Sequence, residues 1–131
     1  TLDAFIYEAK RLGIYAMLDM MNVDDPVKKL SSLKDLPDIV ILHRSIDVER
    51  AGGEGTWNVK ELKDTFKGKK ILVAVAGGIT PDKVPAAMKQ GVDILIVGRY
   101  ITQSKDVERS VREFIVKLPE SEVDLLREHV E

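Results

Sequence analysis

Ile71-Leu-Val-Ala-Val-Ala-Gly-Gly-Ile-Thr-Pro81 and its echo Asp93-Ile-Leu-Ile-Val-Gly-Arg-Tyr-Ile101 decide how this chain reads. Each is a run of β-branched and aliphatic residues that stops at glycine, after which a helix is expected. A near-continuous apolar run fits a strand buried on both faces, as in a parallel sheet covered by helices. Glycine at the strand end lets main-chain N–H groups approach a ligand closely, and a following helix N-terminus adds a field that favours an anion. Two such turns in succession predict a phosphate cradle.

Working outward, the remaining elements alternate. Leu2, Phe5, Ile6, Ala9 and Leu12 recur at helical spacing up to Gly13. Ile14 to Met20 is a short apolar strand with Asp19 near its end. Asp24-Asp25-Pro26 starts a helix whose inner face is Val27, Leu30 and Leu33. Asp38-Ile-Val-Ile-Leu-His43 is the second buried strand, and a polar loop from Arg44 to Trp57 carries Gly52, Gly53 and Gly55. Asn58 is placed to cap a helix with Val59, Leu62 and Phe66, ended by Gly68. Lys70 to Val75 is strand three, and Thr80-Pro81 opens a helix closed by Gly91. Asp93 to Val97 is strand four, and Ser104 is placed to cap a longer helix that Pro119 breaks. Ser121 and Asp124 resemble a capping box before a last short helix.

Strict alternation of this kind implies a parallel sheet with right-handed crossovers. Two α/β architectures satisfy it: a small doubly wound sheet, or half of a (β/α)8 TIM-type barrel. A complete barrel needs about 250 residues, so 131 residues cover about the last four strands and their helices. Polar residues at the strand ends (Asp19, His43, Gly77-Gly78, Gly98-Arg99) favour the barrel, whose chemistry collects at that face. The expected division is a half-barrel over residues 1–118 and a helical tail over 119–131.

Composition removes several functions. Twenty basic against 22 acidic residues leave a net charge of −2 and no basic footprint for nucleic acid. No cysteine is present, which excludes disulfides and thiol catalysis. No apolar run approaches a membrane span, and a cytoplasmic location is expected.

At these residues a family resemblance becomes specific. Ala74-Val-Ala-Gly-Gly-Ile79 and Ile94-Leu-Ile-Val-Gly-Arg-Tyr-Ile-Thr102 resemble the last two strands of the hexulose-phosphate synthase branch of the orotidine-phosphate decarboxylase suprafamily. His43-Arg-Ser-Ile-Asp47 resembles the strand-six motif of the same group, and Leu18-Asp19 the acidic end of strand five. The resemblance runs from Thr1 to about Leu118. It implies a (β/α)8 barrel and a sugar-phosphate aldehyde-lyase that joins ribulose 5-phosphate to formaldehyde through a Mg2+-stabilised enediolate. Carried over by position, Asp19 stands near the substrate hydroxyls and the metal, His43 faces the reacting carbons, and Gly77, Gly78, Gly98 and Arg99 hold the phosphate. Two departures matter. The family's Asp-x-Lys-x-x-Asp motif, which brings metal-binding acids and a lysine, is absent, so the main metal ligands are expected in a missing N-terminal half-barrel. The 3-keto-gulonate-6-phosphate decarboxylase branch has a basic residue where this chain has Ile46, which favours the synthase.

Each residue has a plainer reading beside this one. His43 fits a satisfied structural histidine, Asp19 a capping acid, Gly77-Gly78 a tight connection, Arg99 a surface charge and Trp57 a packing residue. Asp47 is given no chemistry, and His129 is read as solvated. Beside the enzyme stand a related decarboxylase and a non-catalytic phosphate-binding half-barrel. The latter leaves two strand edges and an apolar interior open and pairs with the missing half or a second copy, giving a homo-oligomer such as a dimer. A receiver-like doubly wound domain is weaker, because glycines occupy the positions where its acidic cluster belongs.

Overall fold

Four strands line up in chain order, each parallel to the next. The computed structural model describes residues 1–44 and 57–119. The elements are helix α1 (Leu2–Leu12), strand β1 (Met17–Asp19), α2 (Pro26–Ser31), β2 (Ile39–His43), α3 (Val59–Thr65), β3 (Leu72–Ala76), a 3-10 turn (Pro81–Lys83) running into α4 (Val84–Lys89), β4 (Ile94–Leu95), α5 (Arg99–Thr102) and α6 (Val107–Ile115). The sheet order β1-β2-β3-β4 separates the two architectures left open by the sequence. A doubly wound sheet reverses direction at a switch point. Here every crossover steps one strand the same way, so right-handed connections put all the covering helices on one face. That is the local plan of a barrel wall.

The covered face is the core. Leu18, Val40, Leu42, Val73 and Val75 project into it and meet Ile6, Leu30, Leu62 and Val84 from the helices. Val40, Val73 and Val75 are fully buried, and each contributes about 1.5–3 kcal/mol relative to exposure. On the other face the register aligns Met17, Ile39 and Leu72 in one row, Asp19, Ile41, Ala74 and Ile94 in the next, and His43 with Ala76 in a third. Met17 and Leu72 are 45% and 46% exposed. This face corresponds to a barrel interior, and among the described residues no helix covers it.

Local chemistry sets the boundaries. Gly13, left-handed at φ 73°, closes α1, with its N–H donating to Lys10 O and that of Ile14 to Ala9 O. Ile14 is thus part of a helix cap, and β1 begins later than expected. The Asp25 side chain caps α2 by accepting from Lys28 N at 3.0 Å, as the sequence implied. Two expected caps differ. Asn58 takes a left-handed backbone, φ 54°, and its side chain makes no capping bond. Asp106, not Ser104, caps α6 by accepting from Arg109 N, while Ser104 Oγ accepts from Asp106 N and braces the cap from outside. The expected helix after Thr80 begins as a 3-10 turn because Pro85 lies one residue into α4 and cannot donate. The expected capping box at Ser121 and Asp124, and His129, lie outside the described residues.

At the opposite end from the glycine turns, two aspartates tie neighbouring strands together. Asp38 Oδ2 accepts from Ala16 N at 2.7 Å, just before β1. Asp93 Oδ2 accepts from Val73 N at 2.8 Å and from Lys63 Nζ at 2.5 Å. Asp93→Ala therefore leaves a strand amide and a lysine without their acceptor. It is expected to lower stability by about 1–3 kcal/mol, read as a lower urea midpoint at unchanged m-value. An unchanged midpoint contradicts the role assigned to this carboxylate.

Candidate active site

Parallel strands end on one edge of the sheet, so the side chains and turns at those ends share a rim. Adjacent strands lie about 4.8 Å apart. His43 ends β2, Ala76-Gly77-Gly78 ends β3, Val97-Gly98-Arg99 follows β4, and Asp19 ends β1. The structure thus brings the backbone positions of the six residues singled out in the sequence to one rim.

Asp19 and His43 lie on the open face, on neighbouring strands and in successive rows. His43 Nε2 stands 2.7 Å from Asp19 Oδ1. The approach is close but not directed as a hydrogen bond: Nε2 is buried and has no aligned partner among the described residues. Asp19 Oδ1 also accepts from Met21 N at 2.9 Å, which fixes the carboxylate against the chain beyond β1. A half-exposed acid beside a mostly covered imidazole at the mouth of a wall is an arrangement suited to proton transfer.

The glycine turn has the backbone its sequence implied. Gly77 has φ 100° and Gly78 φ 60°. The first value lies outside what L side chains ordinarily adopt. After β4, Ile96 N still donates to Val75 O at 2.9 Å, then Gly98 turns the chain with φ −106° and ψ −102°. A Cβ added at Gly98 would meet nothing within 4 Å, so the space beside this turn is open. Among the described residues, nothing accepts from the main-chain N–H of Gly77, Gly78, Gly98 or Arg99. Four free amides at two adjacent strand ends suit a multiply charged anion. The helices behind them are short, three and four residues, so the expected helix field is a minor term and the amides carry the argument.

Arg99 is exposed and opens α5. It lines a groove of about 390 Å³ between α5 and α6 with Tyr100, Lys105, Arg109 and Glu113. A second groove of about 470 Å³ lies on the other side of Tyr100. Neither of these two grooves is lined by the glycine turn. Tyr100 Oη donates to Glu113 Oε2, and this bond holds the phenol above its ordinary value. Thr80 Oγ1 donates to Asp82 Oδ1 and holds that carboxyl below its usual range. Lys83 Nζ donates to Gly78 O at 2.7 Å and braces the turn from behind.

Sequence reasoning gave Trp57 a packing role and missed its polar bond. Its indole Nε1–H donates to Ala76 O at 3.0 Å, and the Arg44 guanidinium lies 5.8 Å from its ring centroid. The available signal was a tryptophan closing a glycine-rich loop, where its apolar body needs a wall and its N–H a buried acceptor. Asp47, Ile46 and the loop glycines lie outside the described residues.

Wall topology, open interior face and a rim of acid, imidazole and bare amides define this as part of a barrel wall with a candidate anion site at its strand ends. The chain belongs to the orotidine 5'-phosphate decarboxylase / HUMPS family, whose pattern matches residues 1–114. It is 47% identical over 128 residues to the bifunctional enzyme Fae/Hps of Methanocella arvoryzae and 50% identical over 128 residues to that of Methanothrix thermoacetophila. Each match covers 97% of this chain and 32% of the relative, so the chain spans about a third of their length. Among solved structures it is similar to 3-hexulose-6-phosphate synthase from Salmonella typhimurium, with 30% identity and a TM-score of 0.66 over 86% of this chain and 53% of that one. A second 3-hexulose-6-phosphate synthase, at 19% identity and TM-score 0.67 over 89% of this chain and 56% of that one, supports the fold alone. The expected barrel half is thereby established.

The donor set of the described residues falls short of a divalent-ion site. Among the described residues no three His, Asp or Glu side chains form a ligand group. Asp19 offers one carboxylate, with Oδ1 already in use. One such oxygen does not make a Mg2+ site, which also draws on further carboxylates, waters or substrate. These residues do not by themselves hold the metal.

Proposed function

We propose that this chain is the phosphate-holding and acid/base half of a sugar-phosphate aldehyde-lyase of the hexulose-phosphate synthase type. The reaction joins ribulose 5-phosphate and formaldehyde into 3-hexulose 6-phosphate, reversibly. The observation that carries the reading is the rim itself: Gly77-Gly78 at positive φ beside Gly98-Arg99, on the edge that also holds His43 and Asp19. The names of the similar proteins support the same chemistry.

The phosphate ester sits on the four free amides, with Arg99 closing on it as a bidentate donor. That anchors one end of the sugar and leaves the hydroxymethyl and carbonyl carbons toward β1 and β2. A base outside this chain takes the C1 proton, leaving an enediolate; its carbon attacks the formaldehyde carbon, one C–C bond forms as the carbonyl π bond breaks, and the new alkoxide takes a proton, so the reaction is proton-neutral overall. His43 serves as the group that moves a proton at oxygen, and Asp19 orients its ring. Mg2+ remains part of this reading as a metal whose ligands lie chiefly outside this chain, with Asp19 as a candidate single contributor; no step here depends on it. The division into a half-barrel over 1–118 and a tail over 119–131, and a cytoplasmic location, belong to the same proposal. Among the described residues no helix is long and apolar enough to cross a membrane.

The test is consumption of formaldehyde by the full-length protein. It is expected to require ribulose 5-phosphate. Formaldehyde loss without the sugar phosphate, or none with it, removes the assignment.

The open sheet face favours a second component. Met17, Leu72 and Ile96 are exposed at 45%, 46% and 38% on a wall that a complete barrel encloses, and among the described residues β1 and β4 end the sheet with unpaired edges. The 131-residue chain alone is expected to sediment above its monomer mass. A monodisperse monomer that unfolds cooperatively argues against this dependence.

A further inference from the structure

Trp57 touches two of the parts that the proposed chemistry needs. Its indole N–H holds the carbonyl of Ala76 at 3.0 Å, and Arg44 N approaches the same oxygen at 3.4 Å from the β2 side. Ala76 is the residue before Gly77, so the pinned carbonyl belongs to the Ala76–Gly77 peptide. That peptide is trans, as are all those described, and in a trans peptide the C=O and N–H point in opposite directions. β3 lies between β2 and β4. A carbonyl held toward β2 therefore turns the Gly77 N–H toward β4, where Gly98 and Arg99 begin. Gly77 has the conformational freedom to turn this peptide the other way, so something must hold it. Trp57 is 7% exposed, and its ring also carries the side chain of Arg44, the residue after His43.

We propose that Trp57 is a positioning residue for the anion cradle: by pinning Ala76 O it aims the Gly77 amide at the ester held between the tips of β3 and β4, and through Arg44 it steadies the end of β2. This rests on the functional reading above and adds to it the residue that presets the cradle. It acts through Gly77 and Arg44 and need not touch the sugar phosphate.

The test is Trp57→Phe in the full-length protein, because phenylalanine keeps a ring for Arg44 and loses only the N–H. Loss of one hydrogen bond that orients a binding group is expected to raise both KM for the sugar phosphate and Kd for inorganic phosphate about tenfold. The change in kcat is expected to stay within about threefold. Trp57→Ala, which also removes the ring under Arg44, is expected to lower kcat further. A Trp57→Phe protein that loses activity only in proportion to lost folded protein, with KM and phosphate Kd unchanged, has a purely structural tryptophan and overturns the inference. So does full retention of both constants. Should that variant not fold, the wild type decides by NMR: the Trp57 indole N–H resonance is expected to shift on phosphate titration with the midpoint of binding, and a resonance that stays still overturns the inference. If the wild type binds phosphate but Trp57→Phe binds it equally well, this inference alone falls. If the wild type binds no phosphate, the functional reading falls and takes this inference with it.

Discussion

His43→Ala in the full-length protein is expected to lower kcat by about a hundredfold to ten-thousandfold, the range for removing a positioned acid/base group. KM for the sugar phosphate should move by no more than about threefold, because the phosphate anchors lie on the next two strands. The structure supplies an internal control. His43 is 20% exposed and contacts Asp19, whose side chain is 49% exposed, and a polar contact with one partner half open to water adds little to stability. The variant should therefore unfold at nearly the wild-type urea concentration, separating lost chemistry from lost folding. Asp19→Asn keeps the shape and the bond from Met21 N but removes the charge beside the imidazole, so it should give a smaller fall in kcat. A His43→Ala protein with intact kcat and raised KM would show that the imidazole binds and does not move a proton.

Much of this site could be read without coordinates because strand ends in a parallel sheet are marked in the sequence. The apolar runs stop at Asp19, His43, Gly77 and Gly98, and parallel pairing brings such stops to one rim. Strand patterning alone does not separate barrel-like from doubly wound order; the polar strand ends and the family resemblance favour the barrel, and the strand order bears that out. Buried strands such as Val40-Ile-Leu42 and Val73-Ala-Val75 look alike in either, and only pairing resolves them. Strand lengths differ for a related reason: Ile94-to-Val97 is apolar throughout, yet only Ile94 and Leu95 pair as strand before Gly98 turns away. The four-residue helix Arg99–Thr102 was hidden because its apolar positions continue the strand pattern. The cap of α6 was misplaced by two residues because Ser104 and Asp106 are both good caps, and the choice depends on which side chain reaches the third amide. The Trp57–Ala76 bond joins residues 19 apart and has no local signature at all.

Arg99→Ala is expected to weaken binding of the phosphate ester about tenfold to a hundredfold, the loss of a charge-assisted hydrogen bond of about 1.5–3 kcal/mol. Stability should change by less than about 0.5 kcal/mol, because Arg99 is exposed and makes no ion pair among the described residues. Arg99→Lys should recover only part of the affinity, since an ammonium keeps the charge and loses the planar fork. The wild type's affinity should fall as salt rises, and the Arg99→Ala protein's should fall less steeply, because the screened guanidinium is gone. Gly77→Ala attacks the other half of the cradle. At φ 100° an added Cβ is strained whatever space surrounds it, so the turn must rearrange and move its amide. The pair of variants divides the anion's attachment between backbone and side chain. If Gly77→Ala abolishes binding while Arg99→Ala leaves affinity and salt dependence untouched, the amides hold the ester alone. Arg99 then belongs to the groove between α5 and α6, where its neighbours Lys105, Arg109 and Glu113 already place it.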